Sequence, residues 1–259
     1  MILEDNIRGF RMSSIYQTLK EEAFEANMQI PKRGLAIYTW GNVSAFDKAK
    51  GVFAIKPSGV PYDTMKVDDI VVVDLELNKV EGNLNPSSDT PTHAELYKKF
   101  EGIGGITHTH SPYATSWAQA CKGIPLLGTT HADHSANAVV CTPMIKKDAV
   151  ERAYEKETGI LIADTFLNPE KVGALNYDGT PLKKLVPIEN PMVLVAGHGP
   201  FTWGTNADKS VYNAAVLEEI AKMAWVTMTV NPAWKPLPDY VVDKHYQRKH
   251  GKNAYYGQR

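Results

Sequence analysis

Cysteine is nearly absent. Cys121 and Cys141 are the only two in 259 residues, too few for a disulfide framework, and neither stands in a Cys-x-x-Cys pair, so reduced, partly buried thiols are expected. Long apolar runs are missing as well. No stretch approaches a membrane span, and residues Met1 to Arg8 lack a basic segment followed by an apolar one, so neither a membrane anchor nor a secretory signal is expected and the chain reads as cytoplasmic. Charge of one sign is not in excess, since 28 Lys and Arg face 29 Asp and Glu. That balance gives no electrostatic reason to expect nucleic acid or an anionic membrane as partner. There is no Walker loop, dinucleotide fingerprint, internal repeat or low-complexity tract, which removes nucleotide-binding and solenoid classes from consideration. The length suits a single domain spanning 1–259.

Hydrophobic periodicity supplies the elements. Ile15, Leu19 and Ala23, with Glu21, Glu22 and Glu25 opposite, predict an amphipathic helix from Ser13 to Met28, stopped by Pro31. Strands are predicted at Leu35 to Thr39, Gly51 to Ile55, Asp69 to Asp74 and Ile103 to Thr107. Helices are expected at Thr92 to Phe100, Ala114 to Ala120, Lys147 to Thr158 (ending before Gly159) and Asp208 to Thr227. Helices alternating with closely spaced strands imply an α/β fold, a three-layer α/β/α sandwich whose central sheet is largely antiparallel. Leu167 to Pro191, rich in Pro, Asn, Gly and Lys, reads as a surface excursion.

The chemistry concentrates around His108-Thr109-His110. On a strand, residues i and i+2 point to one face, so both imidazoles can converge on one ion while Thr109 faces away. His198, in Gly197-His198-Gly199-Pro200 after another apolar stretch, is the third candidate. Three imidazoles with one open position are a catalytic zinc set, and they also accept manganese or cobalt. A lone His-x-His pair is equally satisfied by ordinary hydrogen bonds. The polar segments Ser87 to His93 and Gly128 to Asp133 shift the balance toward a site. Lys56-Pro57-Ser58-Gly59 and Ser87-Ser88 offer an ammonium, hydroxyls and close-approach amides suited to an anion such as phosphate, although Pro-Ser-Gly is also simply a turn. Asp133 can accept a proton and Tyr256 can donate one. Lys244 to His250 is an ordinary solvated basic helix face unless a nucleic acid meets it.

Taken in order, Thr39 to Ser44, Lys56 to Gly59, Ser87 to His93, His108 to Ser111, Gly128 to Asp133, His198 to Phe201 and Asp243 through Gln258 resemble the L-ribulose-5-phosphate 4-epimerases, within the class II aldolase and adducin-head group. The match runs from about Leu19 to the C-terminus, leaving residues 1–14 as an added N-terminal segment. The resemblance implies a zinc-dependent homotetramer with active sites between subunits. It makes His108, His110 and His198 the metal ligands with Asp89 beside them, and assigns Asn42, Lys56, Ser58, Gly59, Ser87, Ser88 and Thr129 to a substrate phosphate. Asp133 and Tyr256 match the acid/base pair, contributed by the neighbouring subunit, and Glu155 and His245 match two further residues around catalysis. Asp89 sides with the epimerases, because the related aldolases carry Glu in that block.

The implied reaction inverts C4 of a pentulose phosphate, L-ribulose 5-phosphate to D-xylulose 5-phosphate. It proceeds by retro-aldol cleavage of C3–C4, rotation of the aldehyde fragment and re-addition. Alternatives are a class II aldolase that releases the fragments, or a non-catalytic module like the adducin head, for which degraded metal ligands would be expected. The sequence departs from the pattern where His134-Ser135-Ala136-Asn137 replaces an aromatic segment, and where Pro143 replaces a usual arginine. The first change either alters the sugar phosphate accepted or loosens a subunit contact.

Overall fold

The computed structural model describes residues 14–256. Predictions falling on residues 1–13 and on Gln258 lie outside them. The elements run α1 (Gln17–Lys32), β1 (Asn42–Asp47), β2 (Val52–Ile55), β3 (Val71–Asp74), β4 (Lys79–Glu81), α2 (Thr90–Lys99), β5 (Gly105–His108), α3 (Pro112–Gln119), α4 (Thr129–Ala132), β6 (Val140–Cys141), α5 (Lys147–Leu167), α6 (Pro169–Val172), β7 (Met192–Val195), β8 (Gly199–Gly204), α7 (Ala207–Val230) and α8 (Asp239–His250). The strands form one eight-stranded sheet in the order β4-β3-β2-β1-β5-β8-β7-β6. Every pairing is antiparallel except β6 with β7.

Side chains alternate across a strand, and here both faces are covered, so the central strands are buried throughout. Phe53, Ile55, Val73, Ile106, Phe201 and Trp203 pack with Leu96 of α2 and Ile162 and Phe166 of α5 on one face. On the other, Val43, Ala45, Val52 and Ala54 meet Ala23 and Ile30 of α1 and Val211 of α7, continued by Met192 and Leu194 against α3 and α7. The expected three-layer α/β/α sandwich is what forms. No helix among the described residues is long and apolar enough to cross a membrane.

Four local expectations are corrected. Leu35 to Thr39 is not a strand: Tyr38 adopts φ 54° and Gly41 φ 76°, so the chain turns before β1 begins at Asn42. The first helix starts at Gln17 and runs through Pro31 to Lys32, because proline at position 31 removes a bond only in the final turn. The fifth helix does not end at Gly159. It continues to Leu167, and Gly159 is a packing position, since a Cβ there would sit 2.8 Å from Glu95 Cβ and 2.9 Å from the Thr92 carbonyl of α2. The break in α5 falls instead at Ala153, whose φ of −171° is extended. Finally, Cys121 is exposed, and only Cys141 is buried.

Candidate functional site

His108 closes β5, flanked by Asn42 on β1 and Phe201 on β8. His110 follows two residues later, and His198 stands on the tight β7–β8 connection beside Gly197 at φ 70°. Their ligand atoms all lie within 4.8 Å of one another. The His108 Nδ1 faces the Pro200 carbonyl at 2.9 Å. A carbonyl only accepts, so Nδ1 carries the proton and Nε2 is left as a lone pair. That Nε2 lies 3.1 Å from His110 Nε2, close to the roughly 3.3 Å expected of two nitrogens each about 2.0–2.1 Å from a tetrahedral ion. Two bare nitrogens at this separation repel unless a proton or cation lies between them. The three imidazoles form a group able to hold a metal ion.

Burial disfavours the charged form of these rings. Burial presses the His108 imidazole well below its ordinary value, with Asp89 opposing, and lowers His110 and His198 in the same direction. His108 stacks on Phe201 at 4.1 Å. Asp89 begins α2 and accepts from Asn42 Nδ2 at 2.7 Å. Burial works against its charge, but His108, His93 and the Asn42 amide outweigh this and hold it below the usual carboxylate range. Gly41 has to be glycine: a Cβ would lie 2.8 Å from the His108 carbonyl.

The break at Ala153 brings Tyr154 and Glu155 to this pocket, which is also lined by Trp40, Gly41, Ser88, Asp89 and the three histidines. Tyr154 was not anticipated from the sequence. Its hydroxyl is 3.4 Å from His198 Nδ1, and no spacing rule singles it out beside Glu155.

The two segments expected to cradle an anion are bonded together, Ser58 N to the Asn85 carbonyl at 3.0 Å and Ser87 N to the Lys56 carbonyl at 3.0 Å. Gly59 has φ 68° at the turn. Lys56 is only 1 % exposed and donates to the Val60 carbonyl at 2.7 Å. Among the described residues no carboxylate pairs with it, and burial brings its pKa down to about 8.

Asp133, Tyr256 and His245 gather elsewhere. Asp133 ends α4 and accepts from His245 Nδ1 at 3.0 Å and from Arg248 Nε at 2.9 Å. The Arg248 guanidinium lies over the Tyr256 ring at 5.0 Å. Thr129 stands on the same short helix as the segment leading to Asp133, and neither it nor the Asp133 cluster lines the histidine pocket. Arg248 was missed, although its i+3 spacing from His245 on a helix was legible. The divergent segment is fully engaged: His134 bonds Tyr212 at 2.8 Å, and Asn137 and Ser135 bond Asn190 at 2.8 and 3.2 Å.

Residues 21–225 match the Class II Aldolase and Adducin N-terminal domain family. The chain is 49% identical to the L-ribulose-5-phosphate 4-epimerase UlaF of Salmonella paratyphi C (strain RKS4594), over 94% of this chain and 100% of that protein. It is 48% identical to the protein of the same name from Salmonella typhi, with the same coverage. Among solved structures, an L-fuculose 1-phosphate aldolase superposes with a TM-score of 0.70 at 24% identity, covering 93% of this chain and 99% of that one. The L-fuculose 1-phosphate aldolase from Glaciozyma antarctica PI12 gives 0.68 at 16% identity, covering 92% and 84%. At those identities the structures speak for the fold alone. The matched family model, the near-complete correspondence with the epimerases and the shared sandwich lead to one statement: this chain belongs to the class II aldolase and adducin N-terminal domain family.

Proposed function

We propose that the protein is a zinc-dependent epimerase that converts L-ribulose 5-phosphate to D-xylulose 5-phosphate. The observation that carries this reading is the 49% identity spanning 94% of this chain and the whole of a Salmonella L-ribulose-5-phosphate 4-epimerase. The intact histidine tripod and Asp89 support it. The whole chain is read as one domain, working in the cytoplasm.

C4 of the substrate is not adjacent to the carbonyl, so direct proton abstraction there is unfavourable and C3–C4 cleavage with re-addition avoids it. His108, His110 and His198 would hold the metal, which when bound would supply Lewis-acid stabilisation of the negative charge that cleavage develops on the substrate. Asp89, held by Asn42, orients the tripod from the side of α2. The joined Lys56–Gly59 and Ser87–Ser88 segments hold the phosphate with Asn42, and Thr129, on the helix that carries Asp133, reaches that end from the neighbouring subunit. A buried lysine without a carboxylate partner suits an incoming dianion, which favours its charged form. Asp133 removes the C4 hydroxyl proton on one face, and Tyr256 returns a proton on the other. Glu155, in the metal pocket, and His245, on Asp133, complete the catalytic set. The Asp133 cluster and the metal pocket share no lining residue, which is consistent with the homotetramer that the family resemblance implies, one subunit's Asp133 and Tyr256 facing its neighbour's metal pocket.

The test is an NMR time course of zinc-loaded protein with L-ribulose 5-phosphate, with and without chelator. Chelator-sensitive formation of D-xylulose 5-phosphate is expected. Free dihydroxyacetone and glycolaldehyde phosphate would make the protein an aldolase, and no reaction with zinc bound would remove this substrate.

A further inference from the structure

One side chain holds both members of the acid/base pair. Arg248 meets Asp133 as a fork, Nε to Oδ1 at 2.9 Å and Nη2 to Oδ2 at 2.5 Å, the geometry in which guanidinium and carboxylate fix each other's orientation. The main-chain carbonyl of Arg248 accepts the amides of Tyr255 at 3.0 Å and Tyr256 at 3.2 Å, and its guanidinium stands over the Tyr256 ring. The tail carrying the proposed acid is thus tied to the residue that grips the proposed base. For its consequence in turnover this rests on the epimerase reading; its geometry does not. We propose that Arg248 is a positioning residue that keeps Asp133 ionised and oriented and couples it to Tyr256.

The bond count around Asp133 is asymmetric. Oδ1 accepts from both His245 and Arg248, whereas Oδ2 accepts from Arg248, with Lys249 3.8 Å away. A carboxylate oxygen has two lone-pair sites, so Oδ2 keeps one for a substrate hydroxyl while Oδ1 is full. Cleavage requires the base to start deprotonated, and Arg248 secures that state. Burial opposes the charge of Asp133, but Arg248, His245 and Lys249 outweigh it and hold the carboxyl below its ordinary value. The other groups around it are His250, whose Nε2 donates to the Asp133 carbonyl at 3.0 Å, His131 and His134 beside it in sequence, and, from α7, Tyr212 on His134 with Lys209 over the Tyr212 ring at 3.9 Å. None of these supplies a second fork.

A plain structural salt bridge would cost fold and nothing more, so the test reads the carboxyl itself. In R248M, the NMR titration midpoint of the Asp133 carboxyl, assigned by comparison with D133N, moves up toward the ordinary carboxylate value. Turnover falls about 100-fold, the scale of a misplaced catalytic group. The acid limb of the kcat profile moves to higher pH, while KM and metal content stay within about twofold of wild type. R248K keeps the cation but loses the fork; it restores most of the midpoint and only part of kcat. If R248M does not fold, R248K is read by the same midpoint and kcat. An unchanged midpoint, or wild-type kcat with an unshifted acid limb, overturns the proposal. Failure of the wild type to convert L-ribulose 5-phosphate would overturn the functional reading instead, and the midpoint would still decide whether Arg248 holds Asp133.

Discussion

His108 sits on a central strand between β1 and β8, whereas Asp133 ends a four-residue helix and is gripped from outside by α8. The first is locked by main-chain pairing, a stacked phenyl ring and a carbonyl that fixes its tautomer. The second depends on charged side chains reaching across from a helix whose own buried anchor is Val242. Neutral rings can be buried cheaply once hydrogen-bonded, so a metal nest can be set inside a sheet; a carboxylate that must stay ionised needs cations around it. Under the proposed function the two regions divide metal binding from proton transfer.

The sharpest break of this division is His198→Ala. It removes one of three ligands, and both bound metal and all measurable turnover should be lost, checked by metal analysis and the epimerase assay. Tyr256→Phe should lower kcat by about 10²–10⁴-fold with metal content unchanged. Loss of metal in that variant would mean that the regions are not separate. Lys56→Met should raise KM for the sugar phosphate about 10–100-fold, the worth of roughly 1.5–3 kcal/mol in charge-assisted bonds, with kcat less affected. Equal loss in kcat would move Lys56 from anchoring to chemistry.

The smallest effect concerns acid. His93 is fully buried beneath the metal pocket, its Nδ1 2.7 Å from Ser44 Oγ. Burial lowers its pKa from 6.5 to about 4, opposed by Asp89. A histidine depressed on folding contributes stability that is present above 6.5 and lost as pH falls from there through about 4. Asp133, depressed below 3.8, contributes stability that is lost only as pH falls through its lower folded value. In metal-free protein, hydrogen exchange should accelerate around β5 and α2 at a higher pH than around α8. The reverse order would refute this assignment of the two electrostatic characters.

Much of the metal pocket was legible because it is local. His108 and His110 share a face through strand alternation alone, and the Pro-Gly punctuation around His198 marks a turn. The phosphate segments were legible as composition, but the burial of Lys56 was not, because nothing in Lys-Pro-Ser-Gly says that the loop from Val60 will fold over it. Gly159 misled for a related reason: glycine commonly ends a helix, and only the approach of α2 shows that it is there for space. Leu35 to Thr39 reads like a strand, yet the positive φ of Tyr38 and Gly41 turns the chain before β1 begins, which composition alone does not reveal.

By itself the sequence determined the α/β character, the two-residue spacing of the first histidine pair and the family. These follow from periodicity, composition and motif order, which are properties of short stretches. The tertiary structure decided how His198, 90 positions further along the chain, is brought to His108, that a break at Ala153 delivers Tyr154 and Glu155 to the same pocket, and that Arg248 on α8 closes on Asp133. Such contacts arise from how the layers pack, and packing is a joint property of segments that no single stretch encodes.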